Sequence, residues 1–269
     1  MITEFLSYGF VQKGLIAGSL VASSCALLGV FLVLKRLSLI GDGMSHVCLT
    51  GVALALFTST SPVYMSIPVV LLSSLGIMKL TQKFRIYGDA AIGIVSAAGL
   101  SVGLLITALA GGFNMDLLSY LFGSILTVTT DETVLCGLLF IVILTGIFLF
   151  YREVTSACFD EPFAKTRGIK VGAVNAVLVM ITSVAVVLAF KVVGIFLISA
   201  LLIIPPVASL LVARTFKQVL CLAVAFGVLS VWIGIYISFV WDIPSGACII
   251  LMNLLFLLGS YTYSRIKGK

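Results

Sequence analysis

Charge is scarce in this sequence. Of 269 residues only 10% are Asp, Glu, Lys or Arg, against roughly 25% in ordinary soluble domains, while 61% are hydrophobic and the mean hydropathy is +1.29. A water-soluble globule is excluded. Histidine occurs once, at His46, so an H-E-x-x-H zinc protease is excluded, and no G-x-x-x-x-G-K-[ST] run is present to cradle ATP. A G-x-S-x-G nucleophile turn is not expected either, which leaves an intramembrane hydrolase as a weak alternative. The six cysteines never stand as a C-x-x-C pair and five lie within apolar runs. They read as small core residues, neither a disulfide framework nor a thiolate cage. The formal charge of +6 would suit nucleic acid only if the basic residues lined one face; here they sit in small groups between apolar runs, as topology signals.

What the sequence does have is long apolar runs. They fall near residues 10–34, 38–57, 63–80, 90–110, 133–151, 172–190, 194–213, 218–240 and 244–263. At about 20 residues per crossing, this predicts an all-α polytopic membrane protein, a single domain over 1–269 with about nine spans, eight to ten allowing for a sharp turn near 190–194. The first run is longer than a signal-peptide core and lacks a basic lead, so it is expected to stay as a span. With the amino terminus outside and the carboxyl terminus in the cytoplasm, 14 of the 16 Lys and Arg fall in inside segments and only Lys13 and Lys191 outside, which the positive-inside rule favours. Two connections exceed a turn. Residues 116–126 are too short to cross and predict a short helix at the outer surface. Residues 152–170 predict a short amphipathic helix ended by Gly168, the natural cytoplasmic docking surface.

Ionisable groups inside apolar runs are costly and mark function. Asp42 and His46 are four apart, on one face of a helix one turn from each other. Three readings stand: a hydrogen-bonded pair that holds a helix in place, a proton relay, and a metal site. A relay lacks further acids, since the other carboxylates fall at ends and loops. One carboxylate oxygen and one neutral imidazole form a mixed donor set suited to zinc, manganese or iron. Two ligands do not close a site, but two copies of the chain about a two-fold axis would supply two Asp and two His, so the metal reading calls for a homodimer. Gly41, Gly43, Ser45 and Gly51 around the pair predict close backbone approach there.

The segments Leu39-Ile-Gly-Asp-Gly-Met-Ser-His46, Asp116 to Val128, Lys191 to Pro205 and Asp242-Ile-Pro-Ser-Gly-Ala247 together resemble the permease subunit of zinc/manganese ABC importers. The resemblance implies an all-helical homodimeric permease of the bacterial inner membrane, no enzyme itself, served by separate cytoplasmic ABC ATPase subunits and an extracytoplasmic metal-binding protein. No catalytic residue and no permanent cofactor are implied; zinc or manganese is cargo. It further implies that Asp42 and His46 line the path, and that Asp160, Glu161, Phe163, Ala164 and Gly168 belong to the coupling helix that seats in the ATPase. The stretches Ser119 to Leu126 and Leu202 to Pro205 look closer to zinc permeases. Ligation needs a neutral His46, so protonation opposes binding. An ion-coupled secondary transporter using the same pair, and a non-transporting membrane scaffold, are the alternatives from other classes.

Overall fold

In the computed structural model, residues 8–84, 86–110, 123, 128–195 and 198–267 are described, the side chains of 191–193 apart. Every regular element among them is helical: α1 (Gly9–Leu34), α2 (Ile40–Phe57), α3 (Pro62–Gln82), α4 (Gly88–Leu109), α5 (Thr130–Leu149), α6 (Tyr151–Phe159), α7 (Glu161–Thr166), α8 (Val171–Val193), α9 (Ile198–Val212), α10 (Phe216–Trp241) and α11 (Ser245–Ile266). Eight are long and apolar enough to cross a membrane. The run expected at 194–213 forms only the 15-residue α9, about 22 Å at 1.5 Å per residue and short of a hydrocarbon core of about 30 Å. The helix expected at 116–126 and the side chain of Lys191 lie outside the described residues.

Burial shows which helices are central. In the most apolar 18-residue stretches of α1 and α2, 78% and 72% of residues are buried, against 17% in α4 and α5. The core gathers around Phe31 of α1 and Phe190 of α8, both fully buried. Peripheral helices turn Leu105, Leu109 and Phe148 outward, as lipid-facing surfaces do. Polar groups tie neighbours across the bundle: Trp232 donates to Ser19 (2.8 Å), Ser230 pairs with Asn253 (2.8 Å), and Lys35 donates to Asn175 (2.5 Å).

Those contacts also sort the chain into two ends. Phe159 packs on Phe216, the start of α8 meets Gln82 of α3 through Gly172, and Arg214 and Lys267 line one cleft. One end therefore collects Lys35, Arg152, Arg167, Lys170, Arg214, Lys217 and Lys267. Tyr8 meets Phe239 at the opposite end.

Of the cysteines expected in the core, Cys25, Cys48, Cys136 and Cys248 are buried, whereas Cys158 is half-buried and Cys221 is exposed on α10. Cys221 lies on the outward side of α10, while Val219 and Ala223 on either side of it turn inward and pack on Ala26 and Val30 of α1.

Candidate functional site

The site begins with the turn that sends α2 back along α1. Arg36 takes the left-handed conformation (φ 57°), and Leu37 N donates to Leu32 O while Arg36 N donates to Val33 O, the paired bonds of a Schellman stop with arginine where glycine is usual. Ile40 N then donates to Leu37 O and α2 starts. Its early glycines face different neighbours: a Cβ on Gly41 would stand 2.6 Å from Leu202 of α9, and one on Gly43 2.6 Å from Ile92 of α4. Farther along, Gly51 abuts Ser66 of α3. The close approach read from these glycines is thus met within the chain, by α9, α4 and α3. Ser45, also buried, bonds back to the Asp42 carbonyl (2.7 Å). The sequence predicted close approach here without its partner, because spacing shows that a helix is approached, not by which helix.

Between the glycines, α2 turns one polar stripe outward. Asp42 is 52% and His46 24% exposed, with Nε2 3.8 Å from Asp42 Oδ2. Two donors bound to one ion at about 2.0–2.2 Å each stand about 3–4 Å apart, so this separation suits two ligands flanking a single cation. Nδ1 of His46 is enclosed and meets no hydrogen-bond partner among the described residues, which leaves Nε2, on the Asp42 side, as the nitrogen available to a ligand. No cluster of three or more His, Cys, Asp and Glu occurs among the described residues; one chain offers this place two donors. Cys48 is fully buried and adds no third.

Sequence reasoning missed a contributor. The Cα of Ser199 lies 3.5 Å from the position of a Cβ on Gly41, so the amino-terminal ends of α2 and α9 meet beside Asp42. Helix amino termini carry partial positive charge, and two of them accommodate a carboxylate where lipid alone would not. The signal was available in Gly194, a break between apolar runs, whose φ is 94°.

At the basic end, residues 152–170 form two helices, not the single one expected. Asp160 ends α6 and caps α7, its Oδ1 accepting from Phe163 N (2.9 Å), and Pro162 sits in the first turn. Glu161 pairs with Lys165 across one turn (2.9 Å), a surface pair of small energetic weight. Gly168 supplies the left-handed stop (φ 78°). Ala164 is fully buried, clustered with Ala157 and Val171, while Phe163 is 47% exposed. Of the five residues assigned to docking, Phe163 and Glu161 present surface; Asp160 and Gly168 shape the helix, and Ala164 clamps it to α6 and α8. Burial pushes the Cys158 thiol up to about 11, against a smaller opposing pull from Lys35.

The chain does contain one G-x-S-x-G spacing, Gly99 to Gly103. It lies within α4, and Ser101 donates to Ala97 O (2.8 Å), so the strand-turn-helix setting of a hydrolase nucleophile is missing.

Comparison with known proteins places this architecture. Residues 7–264 match the ABC 3 transport family. The chain is 35% identical to the manganese transport system membrane protein MntC of Halalkalibacterium halodurans, covering 98% of this chain and 91% of that one. It is 27% identical to the high-affinity zinc uptake system membrane protein ZnuB of Haemophilus influenzae, covering 94% and 97%. A chain of the PsaBC–Fab complex from Streptococcus pneumoniae superposes with a TM-score of 0.86 at 30% identity, covering 99% and 100%. Matched along nearly its whole length, the chain belongs to the ABC 3 transport family, as a permease subunit of the metal ABC importer kind and a transport component, not an enzyme.

Proposed function

We propose that two copies of this chain, related by a two-fold axis, form the membrane pathway of an ATP-driven importer of a divalent first-row metal, with Asp42 and His46 of each copy as transient ligands. The observation that carries this reading is the exposed Asp42 beside the partly exposed His46 at a separation suited to one ion, on a helix otherwise mostly enclosed by its own chain. Two donors per chain become four across the axis, enough for a tetrahedral zinc or, with water, for manganese. Weak, brief ligation is what a pathway needs.

The cargo is manganese, zinc or iron. Relatives named for manganese, zinc and iron transport all occur, and the higher identity to the manganese-named one supports manganese, the reverse of the order read from Ser119 to Leu126 and Leu202 to Pro205. The end that collects the basic side chains is the cytoplasmic one, which puts the amino terminus outside. There α7 offers Phe163 and Glu161 to an ABC ATPase; Ala164 buried against α6 and α8 lets a push on α7 reach the spans. An extracytoplasmic metal-binding protein delivers the ion at the opposite end.

The test is metal accumulation in cells lacking their own zinc and manganese uptake, expressing the chain with its ATPase and carrier protein, beside Asp42→Ala and His46→Ala. Accumulation of one metal, abolished by either substitution with the protein still in the membrane, is expected. Unchanged uptake in both variants would make the pair structural and place the path elsewhere. Uptake driven by an ion gradient without the ATPase would favour the secondary-transporter alternative.

A further inference from the structure

A groove of about 510 Å³ runs between α5 and α8, floored by Leu28 of α1 and closed at its basic end by the α6–α7 segment. Ile143, Gly146, Val174 and Val177 give it apolar walls. Val142 and Val177 on its two sides are 55% and 48% exposed, so it opens laterally, toward lipid. The mouth is different: Arg167 and Lys170, both exposed, stand there with Glu153 as the one carboxylate. Neither cation forms an ion pair among the described residues; Arg167 rests its guanidinium over the Phe163 ring at 4.6 Å.

The geometry points to a binding site for an anionic phospholipid, its acyl chain lying between α5 and α8 and its phosphate on Arg167 and Lys170. A long apolar trough that ends in unpaired cations at the membrane surface matches a lipid in both halves, and basic pockets between spans on the cytoplasmic side are suited to anionic headgroups. A soluble anion would have no use for the trough, and a neutral lipid none for the cations. The site also touches the segment assigned to ATPase docking, because Arg167 and Gly168 follow α7 directly. A lipid seated there joins the start of α8 to the bilayer next to the helix that receives the push.

The test uses the purified full-length chain, reconstituted with dioleoyl phosphatidylglycerol or with dioleoyl phosphatidylcholine, and reads lipid retained per chain by native mass spectrometry. Removing both cations (Arg167→Gln with Lys170→Gln) is expected to weaken phosphatidylglycerol binding about thirtyfold, at the membrane-surface contribution of two basic residues, while phosphatidylcholine retention stays level. Gly146→Phe is expected to lower retention of both lipids, since a side chain at Gly146 enters open space and fills the trough without meeting protein. If the double variant does not fold, Lys170→Gln alone carries the comparison. Equal retention in wild type and both variants would overturn the proposal. So would a double variant that keeps its lipid but loses the ATPase or changes its oligomeric state, since a protein would then be the occupant. The site rests on the membrane placement of the chain and not on the cargo: lipid retention is independent of uptake, so failure of the Asp42–His46 reading leaves it standing.

Discussion

The carbonyl oxygen of Leu202 lies 2.0 Å from where a Cβ on Gly29 would stand, an approach only glycine permits. Leu202 sits one turn before Pro205 and Pro206 inside α9, and neither proline has an N–H to return to the preceding turn. The doublet therefore opens α9 on the side that faces α1, and Gly29 lets the bared carbonyl come close. Gly29→Ala should destabilise the chain by about 1–3 kcal/mol, the usual cost of overpacking, because backbone and not a flexible side chain must move. Thermal unfolding in detergent reads this; an unchanged midpoint would mean that α9 shifts freely.

The α7 residues should separate into two behaviours. Phe163→Ala removes an exposed ring, so the chain should stay folded while metal carried per ATP hydrolysed falls severalfold in the assembled complex. Ala164→Leu overfills a closed pocket and should lower stability by about 1–3 kcal/mol. Both are checked by pairing a melting curve with a coupled transport assay, and equal effects of the two on stability would refute the division.

Cys158 lies outside the spans and its thiol is pushed up to about 11. Burial disfavours the thiolate, the reactive form, so at pH 8 a chain retaining only this cysteine should alkylate about 100-fold more slowly than an ordinary exposed thiol, gaining rate up to about pH 11. Lys35 opposes the shift, so Lys35→Gln should slow the reaction further. Stopped-time iodoacetamide labelling measures it, and a rate that levels off near pH 9 would contradict the assignment.

Much of this molecule is legible in its sequence because the solvent of most of it is lipid. A backbone without water must satisfy itself, so nine apolar runs became nine helices with ends displaced by a few residues. What was not legible depends on neighbours. The run at 194–213 shortened to α9, and its first residue, Gly194, caps α8 at a positive φ. The split at Asp160 was visible in principle, since Asp followed by Glu-Pro is a helix-start signal, but it was read through as one amphipathic stretch. At the candidate site, the spacing of Asp42 and His46 gave the shared face, while the meeting of the α2 and α9 termini beside them joins elements about 160 residues apart; Gly194 marks a break before α9 but not which helix α9 meets.

The order of synthesis runs against the order of burial. Of the two most enclosed helices, α1 is made before α8, α9 and α10, which cover it, and α2, packed mainly on α3 and α4, still waits for α8 and α9 to complete its enclosure. A nascent chain must hold them in the bilayer with the faces bearing Gly29 and Gly41 open until those partners emerge. In that interval the unfinished protein is most exposed to membrane proteases and to mispairing with foreign helices, so defects in the late helices α8 to α10 should register first as lost protein and only second as lost transport.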